Sequence, residues 1–205
     1  MNQRQLFQQH IAQTSPAPIG LEIVKAAKEL IKQHLGIRIA EKLVSFRWGN
    51  WALDSDGAKA LSKSGFKIDS SATPGIKGHT KDTMKYDWSK VKTHYPWKLD
   101  INDYQNTETK NSNITEMPIP TFNFFGATLR ADPLNSISLR KAFLQYYKKA
   151  DRSQKPFPFV VITHSSEATY RDGKPTQALK DLGEFISFAK KFRDVRFVSL
   201  KDAVK

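Results

Sequence analysis

Three side chains that can carry chemistry stand at the ends of short apolar runs: Arg47, Asp69 and His164. A histidine in such a position can act as a general acid or ligate a metal. A carboxylate beside it fixes its tautomer and stabilises the imidazolium, and an arginine binds a substrate carboxylate or oxyanion. Each residue also has a structural alternative: loop-capping hydrogen bonds for His164, a turn for Asp69 and an ion pair for Arg47. The residues alone leave both interpretations open.

Aromatic side chains are concentrated in segments that do not belong to the predicted strands. Rings placed in clefts stack on sugar rings or nucleobases. We therefore predict substrate binding by Trp48, Trp51, Tyr86, Trp88 and Trp97. The alternative is that these rings anchor a long loop to the rest of the domain, and this alternative is slightly favoured for Trp88 and Trp97.

Apolar periodicity supplies the elements that position these residues. The spacing predicts helices at 21–35, 135–149 and 176–191, and a short helix capped by Asp54. Strands are predicted at 43–47, 66–71, 117–122, 157–163 and 195–200. Because 157–163 is apolar at nearly every position, we expect it to be buried on both faces of a sheet.

The order of these elements indicates the fold class. Strands alternate with helices from residue 21 onward, which predicts an α/β fold with a largely parallel sheet or barrel and helices outside. Such folds place their chemistry at the carboxyl ends of the strands. Residues 76–113 are polar, aromatic and weakly periodic, so we predict a long loop insertion within a single domain of residues 1–205.

Composition excludes several classes of protein. The chain has 205 residues, of which 39% are apolar, and this suits one globular domain. It contains no cysteine, which excludes a disulfide scaffold, a thiolate zinc site and a cysteine nucleophile. The net charge of +13 suggests anionic surroundings such as nucleic acid, glycan, lipid headgroups or a partner protein. The charge is spread among large apolar residues, which favours solvated faces over a nucleic-acid surface.

The sequence shows no signal for a membrane. No apolar run reaches the roughly 18 residues of a spanning helix. The first residues are polar and lack the apolar region of a signal peptide. We therefore expect no membrane span and a cytoplasmic location.

Four short motifs follow one another along the chain. They are FRWGNW at 46–51, ALSKSGFKIDSSATPG at 60–75, ITEMPIP at 114–120 and VITHS at 161–165. In this order they resemble motifs of the polysaccharide deacetylase-like proteins, the NodB-homology group of carbohydrate esterases. The resemblance covers roughly residues 20–204.

The resemblance implies an irregular (β/α) barrel that removes acetyl groups from a glycan. In complete members of the family, a divalent metal such as zinc, held by an aspartate and two histidines, activates water. By motif, His164 is implied to protonate the leaving group, Asp69 to support it and Arg47 to orient the catalytic base.

The sequence also departs from the family pattern. It contains neither the paired aspartates nor the His-x-x-x-His motif, so we expect no metal or other cofactor in this chain. The chain resembles the carboxyl-terminal two-thirds of the family domain, and we expect it to be incomplete or inactive as a hydrolase. The alternative is a non-catalytic descendant that binds a glycan or a partner, and a basic nucleic-acid-binding module is less favoured. An incomplete barrel has an unpaired edge, so we expect association with a second copy or with the missing amino-terminal portion.

Overall fold

The computed structural model of the protein describes residues 19–79, 85–110, 112–132, 136–153, 156–164 and 167–204. Six α-helices lie in these ranges: α1 (Ile19–Leu35), α2 (Ile37–Glu41), α3 (Ser55–Lys63), α4 (Ser136–Ser153), α5 (Gln177–Ala189) and α6 (Leu200–Ala203). The strands are β1 (Ser45–Phe46), β2 (Ile68–Asp69), β3 (Lys77–His79), β4 (Lys85–Asp87), β5 (Trp97–Lys98), β6 (Thr115–Glu116), β7 (Thr121–Phe124) and β8 (Ala127–Arg130). No helix in the described ranges is long and apolar enough to cross a membrane.

The central sheet has four short strands in the order β1-β2-β6-β5. The first three are parallel, with Phe46 opposite Asp69 and Asp69 opposite Glu116, whereas β5 pairs antiparallel with β6. The predicted α/β class with a mostly parallel sheet is therefore confirmed. The described residues form an open, mixed sheet and no closed barrel.

The helices confirm the periodicity of the sequence. Three long helices occur at the predicted places, as α1, α4 and α5. Asp54 caps α3 as expected, since its Oδ1 accepts a hydrogen bond of 2.7 Å from the Gly57 amide. Thr176 caps α5 in the same way, through the Leu179 amide. Short polar side chains that satisfy the first amides of a helix thus define where these helices begin.

The strand predicted at 117–122 is wrong in its bounds. The sheet strand β6 ends at Glu116, and the chain then turns into the antiparallel hairpin of β7 and β8. Phe125 and Gly126 form the two-residue loop of this hairpin, both with positive φ. That conformation matches the twist of the flanking strands, although it is unusual for phenylalanine.

The strands predicted at 157–163 and 195–200 are also wrong. Among the described residues, no backbone hydrogen bond joins 157–163 to another segment. Pro156 and Pro158 have no N–H to donate, and the neighbouring apolar side chains pack instead on the helices. The segment is only partly buried, and Phe197 and Val198 of the second segment are exposed.

Two apolar cores hold the structure together. The first lies between α1, α3 and the sheet, and it includes residues of the long region 76–113, among them Trp88, Trp97 and Leu99. The second lies between α4 and α5, where the ring of Phe143 contacts five other aromatic rings. Region 76–113 thus combines β3, β4 and β5 with side chains that complete the first core.

Candidate functional site

A cavity of about 210 Å³, here called the edge cavity, lies beside the carboxyl ends of the sheet strands. Its walls include Trp51, Ile119, Arg130, Asp132, His164 and Glu167. Trp51 comes from the turn after β1 and Ile119 from the segment after β6, which are the positions where parallel sheets place their functional residues. Arg130 ends β8, and its neighbour Ala131 is tied to Pro120 by a backbone hydrogen bond of 2.9 Å.

Trp51 is held in an unusual backbone conformation at the rim of the edge cavity. It and Asn50 both have positive φ, at 60° and 53°. The Trp51 carbonyl accepts a hydrogen bond of 3.0 Å from the buried indole of Trp88. The Arg130 guanidinium lies 3.5 Å from the centre of the Trp51 ring, and the Tyr86 ring packs edge-on against Trp51 at 5.8 Å between ring centres. Such φ values cost free energy in residues other than glycine, and they cluster at functional sites.

His164 is exposed and also lines the edge cavity. Its backbone amide donates to Glu167 Oε2 at 3.3 Å, and the Glu167 amide donates to the His164 carbonyl at 2.9 Å. These contacts tie His164 to Glu167. The imidazole bonds to no other described side chain, so its nitrogens can face a ligand.

Beneath this edge of the sheet lies a buried acidic pair, Asp69 and Glu116, opposite each other on β2 and β6 and both fully inaccessible to solvent. Asp69 Oδ2 accepts from the Ser71 amide at 3.0 Å, and Glu116 Oε1 accepts from the Ala72 amide at 2.9 Å. The remaining oxygens, Oδ1 of Asp69 and Oε2 of Glu116, find no donor in other described residues.

Two negative charges are unfavourable at this separation without solvent, so the acidic pair carries one proton between its two carboxyl groups, here called the shared proton. Burial raises the pKa of Asp69. Burial, together with the charge of Asp69, raises the pKa of Glu116 well above its usual range. Because its pKa is raised the further, we assign the shared proton to Glu116.

Arg47 lies beside the acidic pair and fixes the loop after β2. Its Nε donates to the Ser70 carbonyl at 2.7 Å and an NH2 group donates to Ser70 Oγ at 3.0 Å. Burial lowers the pKa of Arg47, and the negative charge of the acidic pair, chiefly that of Asp69, opposes that shift. The Trp48 amide donates to Ser71 Oγ at 2.9 Å, which ties the turn carrying Trp51 to the same loop.

The structure brings together two of the three predicted catalytic residues. Arg47 and Asp69 are neighbours, whereas His164 lies in the edge cavity. Asp69 is fully buried, and its side chain accepts from the Ser71 amide rather than from His164. Ile119 links the two places, because it lines the edge cavity while its amide donates to the Ala72 carbonyl at 2.8 Å.

Of the predicted aromatic binding residues, Trp51 lines the edge cavity. Trp88 and Trp97 are buried in the first core, where they anchor region 76–113. Tyr86 packs against Trp51, and Trp48 packs edge-on against Phe46 at 5.2 Å.

Sequence reasoning missed four residues of this region: Glu116, Arg130, Asp132 and Glu167. Glu116 had a signal, since it is the acidic residue of the ITEMPIP motif and stands directly before Met117. The other three lie on a hairpin end or a loop, where spacing carries no information on what they will face. Among the described residues, no group of three or more His, Asp or Glu side chains is placed to hold a metal ion. The described side chains therefore do not form a binding site for the divalent metal of the family whose motifs the sequence resembles.

Comparison of the chain with protein-family models, with curated proteins and with solved structures finds no match.

Proposed function

We propose that the protein binds a glycan in the edge cavity and is a relative of the polysaccharide deacetylases, with a barrel of their type left incomplete. The motifs that carry this resemblance are those around Arg47, Asp69, Glu116 and His164. In this proposal the chain binds the sugar, and the hydrolytic machinery of the family is incomplete in it.

One observation supports glycan binding above the others. The edge cavity combines the ring of Trp51, one face of which is covered by the Arg130 guanidinium, with the acceptors Asp132 and Glu167. In this proposal the sugar packs on the other face of the ring, and Arg130 donates from the covered side. His164 adds a group that can donate or accept. A sugar ring needs this combination, because its hydroxyls both donate and accept while its C–H face packs on an aromatic ring.

Arg47 and the buried residues Asp69 and Glu116 position the backbone that lines the edge cavity. Arg47 and the acidic pair hold the loop at Ser70, Ser71 and Ala72 through side-chain hydrogen bonds. That loop in turn holds the Trp48 amide and Ile119. In this proposal Arg47, Asp69 and Glu116 are positioning residues, and His164 is the group that meets the ligand.

Titration of the full chain with chitotetraose and xylotetraose tests the proposal. We expect Trp51→Ala to weaken binding by about tenfold, the loss of one aromatic contact. Phe125→Ala is the matched control, since Phe125 is 96% exposed at the tip of the β7–β8 hairpin and does not line the edge cavity. Equal losses in the two variants, or no binding of either sugar, would refute the proposal.

The hydrolytic part is tested separately by acetate release. The sequence lacks the paired aspartates and the His-x-x-x-His motif with which the family activates water. A general acid alone contributes only about a hundred- to ten-thousandfold. We therefore expect no acetate release from acetylated chito-oligomers or xylan, with or without added zinc. Metal-dependent release that is lost in His164→Ala would show that the site is complete in another form.

A further inference from the structure

A second cavity of about 440 Å³, here called the basic groove, lies between region 76–113 and the end of α4. It is lined by Lys92, His94, Tyr95, Lys149, Arg152 and Phe157. Its volume falls in the range of small-ligand sites. It shares no lining residue with the edge cavity.

The charge of the basic groove is one-sided. Three of its described lining residues, Lys92, Lys149 and Arg152, are cations, and none is acidic. None of the three forms an ion pair with a described residue. Lys92 bonds the Ser89 carbonyl at 3.1 Å, and Lys149 lies 5.6 Å from the centre of the Tyr146 ring. The positive charge of the groove is therefore available to an anion.

Aromatic rings form the floor of the groove. Tyr95 and Phe157 lie 4.2 Å apart between ring centres, and Tyr146 packs edge-on behind Phe157 at 4.9 Å. His94 Nδ1 hydrogen-bonds the Tyr146 hydroxyl at 2.7 Å. Burial and the charge of Lys149 lower the pKa of His94 to about 4, so His94 is neutral at pH 7. The groove thus combines packed aromatic rings with three cationic side chains.

We propose that the basic groove binds an anionic sugar unit, a saccharide ring that carries a carboxylate or a sulfate group. The apolar face of the ring packs on Tyr95 and Phe157. The planar donor fork of Arg152 and the ammonium groups of Lys92 and Lys149 bind the anionic substituent.

A sugar is favoured over a nucleic acid by the link between the two cavities. Phe157 lines the basic groove, and Ile162 and His164 of the same extended segment line the edge cavity. Five residues of fully extended chain span at most about 18 Å, so Phe157 and Ile162 lie no farther apart than that. A glycan chain of several units has this length. This inference rests on the proposed function, glycan binding, and adds that the glycan carries acidic groups.

Binding of tetragalacturonate to the full chain, compared with its neutral methyl ester at fixed ionic strength, tests the proposal. We expect Lys149→Met to weaken tetragalacturonate binding by about tenfold, the loss of one charge-assisted contact. Binding of the methyl ester should not change. Lys148→Met is the control, because Lys148 is exposed on the same helix, precedes Lys149 and does not line the groove. Arg152→Gln should repeat the effect.

Three outcomes would overturn the inference: equal affinity for the acid and its methyl ester, equal effects of Lys148→Met and Lys149→Met, or tighter binding of an oligothymidylate that Lys149→Met abolishes. The last would assign the groove to a nucleic acid. Failure of the proposed function is separately visible, because Trp51→Ala tests the edge cavity with neutral sugars.

Discussion

The carboxyl groups of Asp69 and Glu116 show how one residue acquires its partner from the neighbouring strand. Parallel pairing of β2 and β6 sets the two side chains opposite each other. Full burial then makes two negative charges too costly, so a shared proton replaces one of them. From the sequence, the expected partner of Asp69 was His164. Pairing register decides between such candidates, and register is not visible in strands of two residues.

The shared proton predicts a pH effect on stability. The pKa of Glu116 in the folded chain lies well above its ordinary value of 4.5. As the pH rises above 4.5, the unfolded chain loses this proton and the folded chain keeps it. The free energy of unfolding therefore falls with rising pH until the raised pKa is passed. The slope is up to about 1.4 kcal/mol per pH unit for one proton.

Glu116→Gln removes the contribution of Glu116 to this dependence, while Asp69, whose pKa burial also raises, still titrates. The amide oxygen can still accept from Ala72, and the amide nitrogen can donate to Asp69 without titrating. Urea unfolding between pH 4.5 and 8 should show the variant gaining stability over the wild type as the pH rises. Glu41→Gln, at an exposed glutamate, should follow the wild type at every pH. A difference that is constant with pH, or that shrinks as the pH rises, would contradict the shared proton.

At the scale of elements, the helices and the first two sheet strands were predictable and the later strands were not. Helix α3 has both a periodic apolar face and a capping aspartate, so two independent signals agree. The segment 157–163 has the composition of a buried strand. Composition cannot show whether a neighbouring strand exists, and here Phe159 and Val161 pack on the helix core instead. The edge cavity was not predictable either. Arg130 reaches it from the end of a hairpin, and the sequence does not show where that hairpin packs.

Two helical glycines should respond oppositely to alanine. A Cβ at Gly57 would lie 3.0 Å from the Trp48 ring and 3.1 Å from Leu53 Cδ1, whereas one at Gly183 would meet nothing within 4 Å. Gly183→Ala should therefore raise the free energy of unfolding by about 0.5–1 kcal/mol, the ordinary gain in a helix. Gly57→Ala should give no gain or a loss, because α3 approaches Trp48 so closely.

Urea unfolding of the two variants with the wild type measures this difference directly. Equal gains at the two positions would show that Trp48 moves without cost. The contact between α3 and the turn after β1 would then not position Trp51.

The whole molecule exposes features that favour self-association. The sheet is open, with β1 and β5 at its edges. Among the described residues, no backbone hydrogen bond joins 157–163 to another segment, and Phe197 and Val198 are 55% and 57% exposed. Unpaired edges and exposed apolar side chains are the usual routes to pairing with a second chain. The net charge of +13 opposes this association, more strongly at low salt.

We therefore expect the chain to associate with itself once salt screens its charge. Sedimentation equilibrium at and above roughly 0.15 M salt, where the Debye length is about 8 Å, should give an average mass that rises above 23.3 kDa with concentration. Phe197→Lys should keep the mass near the monomer value, because it replaces exposed apolar surface with charge. Ser187→Lys adds the same charge on the exposed side of α5 and should behave as the wild type does. A monomer at every concentration and salt would show that the open edges are protected. Equal suppression by the two lysines would show that net charge, rather than the apolar surface at Phe197, controls association.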